Sequence, residues 1–156
     1  MDSRQIRGGT VLRTITVLLG TLTCAASALA ESTNILDRIG TDQCICVVLG
    51  LPTGSTEAVI DLAETSEWLL FFQSPNPNEV DQIRVASEAK GLLGNRIFAT
   101  VGPWSAIPLA DNMAGAVWVN DAAIAHVIEA ELLRILHPEG KALLGSREIT
   151  KPHPVG

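Results

Sequence analysis

The residues best placed for chemistry in this 156-residue chain stand where apolar runs end. The first run, residues 44–49, is followed by Gly50-Leu51-Pro52-Thr53-Gly54-Ser55. A glycine turn after a strand lets backbone N–H groups approach an anion or the carboxylate of a bound amino acid. Gly50 and Gly54 permit such an approach, although Pro52 has no N–H to offer. A plain strand-to-helix turn would use the same glycines. The second run ends in Phe72-Gln73-Ser74, where Gln73 offers hydrogen bonds to a ribose, without charge and with a single acceptor oxygen. Beyond the third run lie Gly102-Pro103-Trp104-Ser105. The indole there has two readings, a shelf for a purine or a packing residue.

Acid–base and nucleophilic machinery is not visible. The chain has no G-x-S-x-G and no CxxC, and His126, His137 and His153 lack a spaced acidic or metal-ligand partner. His126 falls on the polar side of its predicted helix and His137 in a turn before Pro138, so both read as solvated. Cys44 and Cys46 point to one face of a strand, with no nearby His or further Cys to complete a metal site. They read as two small buried residues or as a strained redox pair. Catalytic residues are therefore unassigned, and no metal is expected.

The elements that would carry these positions alternate regularly. Strands are predicted at residues 44–49, 68–72, 96–101, 114–119 and 141–145. Between them, one helix runs from Thr56 to about Thr65. A second, capped by Asn78, sets Val85, Ala89, Leu92 and Leu93 on one stripe. A third, capped by Asn120 or Asp121, sets Ile124, Val127, Ile128, Leu132 and Ile135 on its core face. This order calls for an α/β fold, a Rossmann-like parallel sheet of about five strands with helices on both faces. Ligands of such sheets bind beyond the strands' carboxyl ends, where the strand order reverses.

The amino end reads differently. Arg4, Arg7 and Arg13 precede an apolar run at residues 14–26 and the small-x-small site Ala28-Leu29-Ala30, the pattern of a signal peptide spanning residues 1–30. An uncleaved anchor is the alternative. Of the 11 basic and 17 acidic residues, three Arg and one Asp precede Glu31, so the exported chain would carry 8 and 16, a net of −8. Such a charge disfavours nucleic acid, which needs a Lys/Arg footprint, and no membrane span is expected after cleavage. The domain is expected over residues 31–149 and a Pro-rich tail or linker over residues 150–156. The partner, a protein or a small molecule, is unidentified, and the location is periplasmic or secreted.

The stretch 107–140 closely resembles the second half of a class I S-adenosylmethionine-dependent methyltransferase core. There the usual run is LP-x-x-D-x-x-F-D-x-V, a helix, then E-x-x-R-h-L-x-P-G-G with h apolar. Pro108, Asp111, Glu131, Arg134, Leu136, Pro138 and Gly140 match it. Glu139 replaces one glycine of the pair, and Gly115 stands where an Asp is usual. The resemblance implies S-adenosylmethionine as cofactor, with Gly50 and Gly54 near its methionine end, Gln73 near the ribose, and Trp104, with Ser105 beside it, near the adenine. It also implies that three polar anchors are gone, since Leu49, Gln73 and Pro103 stand where the family has acids. At ~1.5–3 kcal/mol for each charge-assisted hydrogen bond, losing two weakens binding by several orders of magnitude. The chain thus resembles a degenerate methyltransferase-family domain lacking the final hairpin; the alternative is a non-catalytic binding or docking module. A narrower resemblance is to the front of exported planctomycete-type pyrroloquinoline-quinone β-propeller proteins.

Overall fold

The computed structural model describes residues 18–41, 43–52 and 55–154. Its centre is a six-stranded sheet. Five strands are parallel: β1 (Ile45–Leu49), β2 (Leu69–Ser74), β3 (Ile97–Val101), β4 (Ala114–Val119) and β5 (Leu136–Leu144). The spatial order is β3-β2-β1-β4-β5-β6, where β6 (Arg147–Thr150) runs antiparallel to β5. The order therefore reverses between β1 and β4. All six residues of β4 are buried. A strand covered on both faces has no polar side, which explains the unbroken apolar runs.

The sixth strand was not anticipated. Leu144 pairs with Arg147, so Gly145-Ser146 forms a two-residue hairpin loop, and Gly145 takes the positive φ of 60° that such a turn demands. Backbone bonds between Lys151 and both Glu139 and Gly140 extend the pairing into the predicted tail.

One face of the sheet, with Cys46, Val48, Leu70, Phe72, Ile97, Ala116, Trp118 and Leu143, packs against three helices. These are α1 (Leu18–Ile39), α2 (Glu57–Thr65) and α3 (Pro77–Ala89). Helix α1 adds Ile35 and Ile39 to that core and runs unbroken through Ala28-Leu29-Ala30. Helix α3 starts where Asn76 accepts a hydrogen bond from the Asn78 N–H, with Pro77 in its first turn. Its buried residues are Val80, Ile83 and Ser87, whereas Val85 is 69% exposed and Ala89 lies on the surface. The predicted stripe was thus rotated off the true one. Arg96 closes this layer by donating to the carbonyls of Ala63 and Ser66 at the end of α2 and of Trp68 just before β2.

The opposite face holds Val47, Leu49, Val117, Val119, Ala142 and Leu144. The single helix predicted here is two: α4 (Asp121–Ile124) and α5 (Glu129–Ile135). Ile128 is extended at φ −105°, ψ 121°, and its carbonyl accepts from Glu131 and Leu132. It is 52% exposed rather than part of the core. The connection from β3 to β4 carries no helix, so it covers only part of this face and leaves Leu69 and Phe98 about 40% exposed.

Candidate functional site at the carboxyl ends of the strands

Gly50 ends β1 at φ +79° and is buried. A Cβ there would sit 3.5 Å from Trp104 Cζ2, 3.5 Å from Asn120 Cβ and 3.7 Å from Ala123 Cβ. The Trp104 indole therefore lies directly on the glycine turn. Its Nε1 donates to the carbonyl of Gln73 at 3.3 Å, and the same oxygen accepts the Gly50 N–H at 3.0 Å. The His126 ring tilts against the indole with centroids 5.6 Å apart.

Gln73 is fully enclosed. Its Nε2 donates to the carbonyls of Pro103 and Ala106, and its Oε1 is buried without a partner. Gly102 permits this inward turn, because a Cβ there would come within 3.0 Å of Gln73 Nε2. The structure thus brings Gly50, Gln73 and Trp104 together, bonded to one another. Ser105 is exposed in the turn after Trp104. Gly54 lies outside the described residues.

The loop that carries Trp104 is held from α5. Glu131 Oε1 accepts the Ile107 N–H at 2.8 Å, and Arg134 donates to Glu131, Asp111 and the carbonyls of Ile107 and Leu109. The bonds from the Arg134 guanidinium, aided by the Ile107 N–H, hold the Glu131 carboxyl down at about 2 despite partial burial. Glu131 and Asp111 in turn push Arg134 upward. The Asp, Glu and Arg of the recognisable stretch therefore hold a loop in position.

On the other face, a cavity of about 500 Å³ opens at the ends of β4 and β5. Arg38, Glu79, Asn120 and Asp121 supply its polar groups, and Leu51 and Trp118 its apolar ones. Each polar group except Asp121 already has an internal tie. Arg38 donates to the Gly145 carbonyl at 2.8 Å, Asn120 to the Leu51 carbonyl, and Glu79 accepts from Ser74 at 2.7 Å. Sequence reasoning placed Asn120 and Asp121 on this rim and missed Arg38 and Glu79. The Ile35/Arg38/Ile39 spacing was the available signal for α1. Neither cysteine offers a nucleophile, since burial pushes the Cys44 thiol up to about 12 and Cys46 well above its ordinary value.

No protein-family model and no curated protein sequence matches the chain. Solved structures do. A candidate S-adenosyl-L-methionine-dependent methyltransferase from Methanococcus maripaludis superimposes with a TM-score of 0.61 at 21% identity, over 86% of this chain and 66% of that one. A candidate sarcosine dimethylglycine methyltransferase from Galdieria sulphuraria gives 0.55 at 22% identity, over 80% and 45%. The fold is methyltransferase-like. A geranyl diphosphate methyltransferase solved with its S-adenosylmethionine gives 0.62 at 14% identity, over 73% and 47%. The methyltransferase-like core thus spans from under half to about two thirds of these proteins' lengths.

Proposed function

We propose that this chain is a degenerate methyltransferase-family domain that acts by binding rather than by methyl transfer. The observation that carries the reading is the Trp104 indole seated on Gly50 and bonded to the Gln73 carbonyl. In the resemblance, those three positions hold the methionine end, the ribose and the adenine of S-adenosylmethionine. Here Gly50 and Trp104 both donate to the Gln73 backbone carbonyl. The Gln73 amide is committed to two loop carbonyls, so it does not present itself to a ribose. As arranged, these residues do not fit the cofactor, and no methyl-transfer step is derived through it. What stays open is the cavity beside Asn120 and Asp121, large enough for a small molecule.

Titration calorimetry of the purified chain with S-adenosylmethionine tests this. The expected outcome is no heat at millimolar ligand. Micromolar binding would restore the enzyme reading.

The same proposal places the chain outside the cytoplasm, as the front module of an exported assembly such as a quinone-type β-propeller protein. The position of the cleavage motif supports this: Ala26, Ser27, Leu29 and Ala30 are exposed, and Ile35 and Ile39, which α1 gives to the core, lie beyond the cut. Amino-terminal sequencing of the protein recovered from cell fractions decides it. A chain beginning at Met1 in the cytoplasmic fraction would overturn export.

A further inference from the structure

A parallel sheet is ordinarily covered on both faces, and the second face of this one is covered only in part. The register sets Ile45 beside Leu69 and Phe71 beside Phe98, all on the side that lacks a helix between β3 and β4. With Leu109 from the connecting loop they line a groove of about 210 Å³, and every residue of its lining is apolar. Leu69 is 40% exposed and Phe98 43%. The loop is not free to slide over and close it. Glu131 accepts the Ile107 N–H, and Arg134 donates to the carbonyls of Ile107 and Leu109.

Charge decides which partner suits this groove. Residues 44–56, 68–78 and 97–110, which contain β1, β2, β3 and most of the loop, carry no Asp, Glu, Lys or Arg. The chain as a whole is net −6, so two copies repel where their charged surfaces meet and meet here without repulsion. A basic partner, which the acidic chain attracts elsewhere, gains nothing from charge at this groove. Size points the same way. A cavity of about 150 Å³ lined by Leu, Ile and Phe admits a benzene ring, so this groove has room for one phenyl ring. Phe98 supplies that ring. It lines the groove, stands partly out of it, and belongs to the outermost strand of the sheet. Under a twofold axis each copy gives a ring and receives one, the self-complementary contact that a closed dimer requires.

We infer that two copies of the chain associate through this face, each placing its Phe98 ring in the groove of the other. An exposed apolar patch on a monomer is on the order of 300–600 Å², whereas a standard stable interface buries ~800 Å² per partner. The dimer is therefore weak and forms as concentration rises. It is independent of whether the rim at the strands' carboxyl ends binds a nucleoside.

The test is sedimentation velocity of the full-length chain from micromolar to near-millimolar concentration. The expected result is a shift from monomer to dimer that added NaCl does not diminish, because no charge lies at the contact. Phe98→Asp brings two carboxylates together at the twofold axis and should weaken association at least about tenfold. Val85→Lys, at an exposed apolar position on α3 across the sheet, should leave it unchanged. Leu69→Lys should act as Phe98→Asp does, and it decides should Phe98→Asp fail to fold. A monomer at every concentration, a dimer that salt dissolves, or assembly beyond the dimer would each overturn the proposal. So would association that survives both groove substitutions, as contact through the apolar run at residues 14–26 would.

Discussion

Gln73 shows how a side chain at the end of a strand can serve the loop beside it. Its position at the end of β2 was legible from the apolar run before it. Its direction was not, because the carbonyls it serves belong to Pro103 and Ala106, thirty and more residues away. Placing an acid there should therefore fail to create a ribose site. Gln73→Glu would set a buried carboxylate against two carbonyls and is expected to cost about 3 kcal/mol in urea unfolding, without creating cofactor binding. Glu131 provides the residue-scale pH prediction. Its folded value near 2 lies below the ordinary 4.5, so its stabilisation is complete above pH ~4.5 and lost as pH falls toward 2. The melting-temperature difference between the parent and Glu131→Gln should shrink over that interval; a constant difference would refute the role given to Arg134. The spacing of Glu131 and Arg134 is that of neighbours on one helix face, which does not reveal that they clamp the loop carrying Trp104.

Elements were read best where burial is two-sided. The runs that became β1 and β4 leave a strand no polar alternative, and their centres were placed correctly. Helices were read less well, because a period of 3.6 marks an apolar stripe without saying which stripe meets the sheet. In α3 the pattern favoured Val85, yet Val80 and Ile83 face the core. Accordingly, Val85→Lys should change stability by under ~0.5 kcal/mol, whereas Ile83→Ala should cost ~2–5 kcal/mol, both by denaturant unfolding. Equal losses would mean that the packing of α3 is misplaced. The break between α4 and α5 was hidden for a related reason: Val127 and Ile128 satisfy the period, although Ile128 is extended and exposed. The hairpin to β6 escaped because four residues with one apolar side chain give little alternation to read.

At the scale of the molecule, the order β3-β2-β1-β4-β5 agrees with the Rossmann-like sheet read from the alternation of strands and helices, although no helix joins β3 to β4. Helix α1 does not, since sequence pattern assigned most of it to an export signal. The two readings are compatible if the cut falls after Ala30. A chain starting at Glu31 keeps Ile35 and Ile39 in the core and should melt within about 3 °C of the full chain, less than ~1 kcal/mol of stability. A collapse in melting temperature would show that the earlier turns are structural. With 8 basic against 16 acidic residues, the chain starting at Glu31 should also elute unchanged from DNA columns, as its acidic balance requires.

The Gln73 carbonyl, shared by the Gly50 N–H and the Trp104 indole, has a consequence for redesign. Two strands and a loop meet on a single oxygen, so no one substitution opens a nucleoside pocket there. Removing the indole leaves the inward amide, and turning the amide outward strips two loop carbonyls of their donor. Each step toward a nucleoside pocket would lower stability before it gained any ligand. A designer who wanted such a pocket here would have to change the indole, the amide and the loop together.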